Sequence, residues 1–139
     1  MNQMRRLRDS VVVITGASSG IGRATSLAFA RRGATVVIAA RRELLLKELA
    51  AECQRMSGLS LAVPTDVTDS TACENLARRA IESFGRIDVW VNNAAVTAFG
   101  RLEETPADAS RQVIETNLLG CMHGARAALP YFREQASVF

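Results

Sequence analysis

Short apolar runs alternate with longer segments of helical period along this chain. Apolar runs of four or five residues without polar alternation fit strands covered on both faces, and helices between them make those strands parallel. The pattern predicts strands at residues 11–14, 36–40, 59–63 and 87–91, the first of them wholly β-branched (Val11, Val12, Val13, Ile14). Over residues 21–32, Ile21, Ala24, Leu27, Ala28 and Ala30 recur at helical spacing, with Gly33 as the stop. A second helix over residues 42–56 carries Leu45, Leu46 and Leu49 and ends near Gly58. A third starts from Asp69 or Ser70 as cap and runs to about Phe84, before Gly85.

The stretch "EETPAD" predicts a further helix start, with Thr105 as N-cap and Pro106 at the first helical position. A long helix from about Ala109 then reaches Pro130, whose missing N–H is expected to kink or end it. Ser137, Val138 and Phe139 read as the opening of a fifth strand. No repeat or linker interrupts the order, so residues 1–139 read as one domain. The expected fold is α/β, a doubly wound parallel sheet with strands ordered 3-2-1-4, incomplete and holding the start of a fifth. In that order the fourth strand, "IDVWV", is an apolar edge.

Composition narrows the classes. With 48% hydrophobic and 22% charged residues the chain is of globular type. A net charge of +3 decides little, and the arginines are scattered and mostly not interleaved with aromatics, so nucleic-acid binding is not expected. Of 17 basic residues only Lys47 is lysine. The basic start "MNQMRRLRDS" is followed by no apolar stretch of signal type, and "VVVIT" is too short to span a bilayer, so neither export nor a membrane span is expected. Cys53, Cys73 and Cys121 lack CxxC spacing and leave one unpaired in any disulfide scheme, which fits a reducing cytoplasm. His123 has no cysteine or histidine at ligand spacing, so no metal site is expected and the ring belongs on a helix surface.

The candidate chemistry starts at "ITGASSGIGRA", between the first strand and the first helix. A helix beginning there points unpaired N–H groups and its positive dipole end at the turn, which favours a phosphate. Gly16 permits the tight turn, Gly20 lets backbone approach an anion, Gly22 lets helix pack on strand, and Ser18 and Ser19 add hydroxyls. Gly22 is followed by Arg23, not Lys-Ser or Lys-Thr, so a phosphoryl-transfer loop is not expected. In a dinucleotide site an acidic residue about twenty positions past the glycines takes the ribose 2'-hydroxyl of NAD, and arginine there accommodates the 2'-phosphate of NADP. Here the second strand ends "VVIAARRE", with Arg41 and Arg42 and no carboxylate before Glu43. Charge complementarity favours NADP over NAD.

Four signatures agree in order and spacing: "TGASSGIG" (Thr15 to Gly22), "TDVTD" after the third strand, "NNAA" (Asn92 to Ala95) after the fourth, and "TNLLG" (Thr116 to Gly120) in the long helix. With them the chain resembles the short-chain dehydrogenase/reductase family over most of its length. The resemblance implies a Rossmann-type fold and hydride transfer between nicotinamide and a small carbonyl or alcohol substrate. It assigns Gly16, Ser18, Ser19, Gly20, Ile21, Gly22, Arg41 and Arg42 to the cofactor, gives the adenine amino group to Asp66 and the ring to Val67, and places Asn92, Asn93 and Ala94 beside the cofactor ribose. On the residues alone, the lesser alternative is Asp66 as the cap of the following turn. Ala95 departs from the family's usual glycine, and its methyl is expected to crowd the cofactor or change the backbone angle.

Asparagine competes with helical hydrogen bonding, so Asn117 inside a helix needs a reason. The resemblance gives one: membership of the catalytic set, helping to hold a water in the proton relay. Gly120 and Gly124 allow close approach of another element, read equally as subunit packing in a homo-oligomer or as intramolecular contact.

The family also uses a serine and a Tyr-x-x-x-Lys pair. Tyr131, the only tyrosine, has Gln135 where lysine is required, so it is expected to cap the apolar face of the long helix instead. The chain therefore reads as the cofactor-binding portion of an enzyme, truncated before its catalytic serine and Tyr-x-x-x-Lys elements and inactive alone. The alternative is a non-catalytic dinucleotide-binding or regulatory module.

Overall fold

Side chains alternate across a strand, so a β-branched run without polar positions can feed two cores at once. In the computed structural model, which describes residues 6–136, β1 (Val11–Thr15) is buried along its whole length. Val12 and Ile14 pack with Leu27 and Ala30 of α1 (Gly20–Arg31) and with Leu46, Leu49 and Cys53 of α2 (Glu43–Ser57). Val11 and Val13 face the other way, onto Cys73, Leu76, Ala77 and Ala80 of α3 (Ser70–Phe84) and Ala127 of α5 (Gly120–Ala136). β2 (Thr35–Ala40) does the same, with Val36 and Ile38 in the first core and Val37 and Ala39 in the second, and each fully buried Val, Ile or Leu of the two strands contributes about 1.5–3 kcal/mol.

β2 and β3 (Ser60–Pro64) lie to one side of β1 and β4 (Val89–Val91) to the other, all parallel, in the order β3-β2-β1-β4. The expected doubly wound α/β sheet is therefore present, with Val12 registered against Val36 on one side and Val89 on the other. β4, half-buried, is one of the two outer strands among the described residues, the other being β3. The residues expected to begin a fifth strand, 137–139, lie outside the described residues.

Three sequence expectations are corrected and a fourth is narrowed. β4 is shorter than residues 87–91, because the backbone N–H and C=O of Ile87 are held by the Gln135 side chain (3.0 and 2.8 Å) and not by a neighbouring strand. Thr105 is not an N-cap: its hydroxyl donates to the Arg101 carbonyl (2.9 Å), and Pro106 takes the cap position before α4 (Ala107–Ile114). The expected long helix is divided, since α4 passes through a π-type turn at Glu115–Leu119 before α5 begins. Of the two outcomes expected at Pro130, a kink or an end, the end is excluded, since α5 continues to Ala136. Beyond the proline, Tyr131 and Phe132 pack against the core and Gln135 grips Ile87, which offsets the one helical bond that Pro130 removes.

Asp69, one of the two expected caps, does cap α3, accepting from the N–H groups of Thr71 (2.9 Å) and Ala72 (3.3 Å). No helix among the described residues is long and apolar enough to cross a membrane.

Candidate functional site

Parallel strands bring all their carboxyl ends to one edge of the sheet, and ligands of such sheets gather there. At this edge β1 leads into the glycine turn, β2 into Arg41 and Arg42, β3 into Thr65 and Asp66, and β4 into Asn92 and Asn93. Together they border a cleft of about 620 Å³ whose remaining wall is α4 and the π-type turn, through Asp108, Arg111, Gln112, Glu115 and Thr116. Of the residues singled out in the sequence, Gly16, Ser18, Ser19, Ile21, Arg41, Arg42, Asp66, Val67, Asn93 and Ala94 line it.

The glycine turn is shaped by sterics. Gly16 has φ +62°, and a Cβ there would lie 2.7 Å from the Ala94 Cα. A Cβ on buried Gly22 would collide with the Gly16 carbonyl and the Asn93 amide, so α1 can approach the β4 end only through a glycine. At Gly20, φ +55°, a Cβ would have no neighbour within 4 Å, the open approach that an anion needs. Ile21 is 78% exposed at the cleft, an unusual place for an isoleucine. Arg23 turns away from the turn and pairs with Glu52 of α2.

Thr15 and Asn93 join the turn to the end of β4. The Thr15 hydroxyl donates to the Val91 carbonyl (3.3 Å) and accepts from the N–H groups of Asn93 (3.1 Å) and Ala94 (3.2 Å). The Asn93 amide donates to the carbonyls of Thr15 (3.0 Å) and Gly16 (3.1 Å). Asn92 is turned to the opposite side: it accepts from Trp90 Nε1 (3.0 Å) and donates to the Cys121 carbonyl in α5 (3.2 Å). Asn92 is not among the residues lining the cleft. Strand alternation, which sends neighbouring residues to opposite faces, is the signal that separates the two asparagines. Ala95 lines the cleft as expected, but among the described residues none other than glycine has positive φ, so its methyl imposes no left-handed backbone.

At the end of β2, both arginines are exposed. Arg42 reaches across to the glycine turn and donates to the hydroxyls of Ser18 and Ser19, both at 3.0 Å. The first carboxylate after β2, Glu43, pairs with Lys47 along α2 (2.7 Å). Asp66 Oδ1 accepts from the Thr68 hydroxyl (2.8 Å) and N–H (3.0 Å), so it caps its own turn. Those two bonds hold its carboxyl below the ordinary range, against an opposing cost of burial and with a lesser pull from the Arg41 charge.

Asn117 sits in the π-type turn, and both ends of its amide meet one residue: Nδ2 donates to the Val96 carbonyl and Oδ1 accepts from the Val96 N–H, each at 2.9 Å. Gly120 faces Val67 and Gly124 faces Trp90 and Asn92, so the close approach that these glycines allow is intramolecular. His123, expected on a helix surface, is half-buried with Nδ1 2.9 Å from the Val67 carbonyl. Tyr131 is also half-buried, packed on the α3 side of the core and away from the cleft. No group of acidic, histidine or cysteine residues suited to a metal occurs among the described residues.

The profile of the short chain dehydrogenase family matches residues 10–138. The chain is 42% identical over 130 residues to the uncharacterized oxidoreductase YxnA of Bacillus subtilis, a match that takes in 94% of this chain and 36% of that protein. Among solved structures it resembles an alcohol dehydrogenase from Thermococcus sibiricus complexed with 5-hydroxy-NADP (36% identity, TM-score 0.86), covering 90% of this chain and 54% of that one. It also resembles a short chain dehydrogenase/reductase from Burkholderia phymatum in complex with NAD (36% identity, TM-score 0.86), covering 92% of this chain and 46% of that one. The chain thus spans about a third to a half of the length of these relatives. Glycine turn, parallel sheet and sequence match lead to one conclusion: the chain belongs to the short-chain dehydrogenase family.

Proposed function

We propose that residues 1–139 are a single dinucleotide-binding domain, the cofactor-holding portion of an NADP-preferring oxidoreductase acting on a small carbonyl or alcohol compound in the reducing cytoplasm. The observation that carries the NADP preference is the end of β2, where Arg41 and Arg42 face the cleft and the nearest following carboxylate, Glu43, is engaged by Lys47. The solved relatives were bound to 5-hydroxy-NADP in one case and to NAD in the other, so the preference rests on this chain's own charges. The compartment rests on the cysteine pattern of the sequence, in which Cys53, Cys73 and Cys121 lack CxxC spacing and leave one unpaired in any disulfide scheme.

The residues fit a dinucleotide. The glycine turn offers α1's unpaired N–H groups and the Ser18 and Ser19 hydroxyls to the phosphates, with open space above Gly20. Arg41 and Arg42 would hold the 2'-phosphate, Asp66 Oδ2 the adenine amino group, Val67 the ring, and Asn93 and Ala94 the ribose side. When bound, the nicotinamide supplies the hydride. Because Val96 occupies the Asn117 side chain, we assign Asn117's water-holding role to backbone groups of the π-type turn, where the regular helical ladder is interrupted. The proton donor would come from outside these residues, so we expect the 139-residue chain to be inactive alone. Association of copies through α5 and the π-type turn would use exposed Leu118, Leu119, Met122 and Leu129 and not the inward-facing glycines.

The test is equilibrium binding of NADPH and NADH. The chain should prefer NADPH, and Arg41→Asp should weaken NADPH by roughly ten- to a hundredfold, the range of a lost charge-assisted bond. Equal affinity for the two dinucleotides would sink the NADP assignment. Binding of neither would favour a module of another kind.

A further inference from the structure

The adenine side of the proposed site depends on one loop, Asp66 and Val67, which lies between β3 and α3 in sequence. Its nearest supports in sequence are the Thr68 bonds to the Asp66 side chain, the Asp69 N–H bond to the Asp66 carbonyl (3.1 Å) and the Cys73 thiol, a weak donor 3.8 Å from the Val67 carbonyl. The strong donor to that carbonyl comes from 56 residues away, His123 Nδ1 of α5, at 2.9 Å. A carbonyl only accepts, so Nδ1 carries the proton in this contact. Gly120, one turn earlier on α5, faces the Val67 side chain so closely that a Cβ there would lie 2.8 Å from Val67 Cγ2.

The same helix is fixed to β4 and its approach at two more places. The Cys121 carbonyl accepts from Asn92, and Gln135 brackets the Ile87 backbone. Asn92 is adjacent to Asn93, which ties β4 to the glycine turn. α5 thus sets the adenine loop against the β4 end from beneath, without lining the cleft itself.

We propose that His123 is a positioning residue for adenosine recognition: its Nδ1–H fixes the Val67 carbonyl and so holds Asp66 and Val67 in the geometry that receives the adenine ring. This rests on the dinucleotide reading above. The effect is confined to the adenosine half of the cofactor. Asparagine at position 123 can replace the donor, since its Nδ2–H falls near the place of Nδ1–H, whereas leucine cannot.

The experiment measures binding of two probes to the purified chain, 2',5'-ADP for the adenosine half and reduced nicotinamide mononucleotide for the other, with thermal melting alongside. His123→Leu should weaken 2',5'-ADP by roughly three- to tenfold, as for one lost hydrogen bond, with nicotinamide mononucleotide unchanged, and His123→Asn should restore most of the loss. Unchanged 2',5'-ADP affinity in His123→Leu, or an equal loss of both probes, would overturn the positioning role. Failure of the unaltered chain to bind 2',5'-ADP would overturn the dinucleotide reading, and this inference with it. If His123→Leu does not fold, His123→Asn decides: near-normal 2',5'-ADP binding upholds the donor role, and a loss as large as about tenfold in a folded protein overturns it.

Discussion

Asn117 brackets the backbone of Val96, donating to its carbonyl and accepting from its N–H at the same distance of 2.9 Å. One amide therefore satisfies both polar groups of a residue that belongs to no strand or helix. Asn117→Ala leaves both without their partner, and the expected cost is about 1–3 kcal/mol. Asn117→Asp is expected to be no better, because it sets a carboxylate against the Val96 carbonyl. Thermal or urea unfolding of the two variants checks this, and an unchanged midpoint in Asn117→Ala would contradict it.

The glycine turn separates two kinds of glycine. Gly22→Ala puts a methyl into the Gly16 carbonyl and the Asn93 amide, so it should destabilise the fold and disturb the clamp between β1 and β4. Gly20→Ala meets nothing within 4 Å and bears only the strain of its positive φ, about 1 kcal/mol. The expected ranking in melting temperature is wild type, then Gly20→Ala, then Gly22→Ala. A reversed order of the two variants would show that packing at Gly22 is not what shapes the turn.

Asp66 gives a pH signature. Its carboxyl titrates below the ordinary 3.8, first because the Thr68 hydroxyl donates to it. A depressed carboxyl contributes stability that is fully present above its unfolded value and fades as pH falls through the lower folded value. Thr68→Ala should return the Asp66 titration part of the way toward the ordinary value, since the residue-68 N–H still donates, and reduce the contribution that wild type keeps above about pH 4. Carboxyl NMR titration of wild type and variant reads this directly, and identical Asp66 midpoints would refute it.

Gln135 occupies the position that a Tyr-x-x-x-Lys pair would give to lysine, yet it grips Ile87, which enters β4 from the end of the sheet opposite the cleft. Gln135→Lys completes the spacing and is still expected to yield no reductase activity. It should instead destabilise the chain by about 1–3 kcal/mol, because the Ile87 backbone loses both partners. NADPH oxidation in the presence of a carbonyl compound, measured beside a melting curve, tests both halves; any turnover gained would place Tyr131 at the chemistry.

Much of this fold is legible in the sequence because local signals agree. β-Branched runs without alternation mark strands buried on both sides, and Gly33, Gly58 and Gly85 mark helix ends that the structure leaves at positive φ. The cleft is legible where it is built from strand ends, as at Gly16, Arg41, Asp66 and Asn93. What escapes is set by contacts distant in sequence. Ile87 has the look of strand, but Gln135 takes its backbone groups; His123 has the look of surface, but Val67 lies beneath it; α4's wall of Asp108, Arg111 and Gln112 carries no motif. Asn117 stands out as a misfit in a helix, but its partner, Val96, is not readable from local periodicity.

The junction of β4 and α5 also carries the chain's single tryptophan, Trp90, whose indole N–H donates to Asn92 and lies against Gly124. Its emission is therefore a built-in optical gauge of that joint, free of background from any other indole. Asn93, whose amide holds the carbonyls of the glycine turn, follows Asn92 directly on the same backbone. Loosening of α5 or a shift of the cleft floor should register as a change in colour of this one residue, with no label attached to the protein.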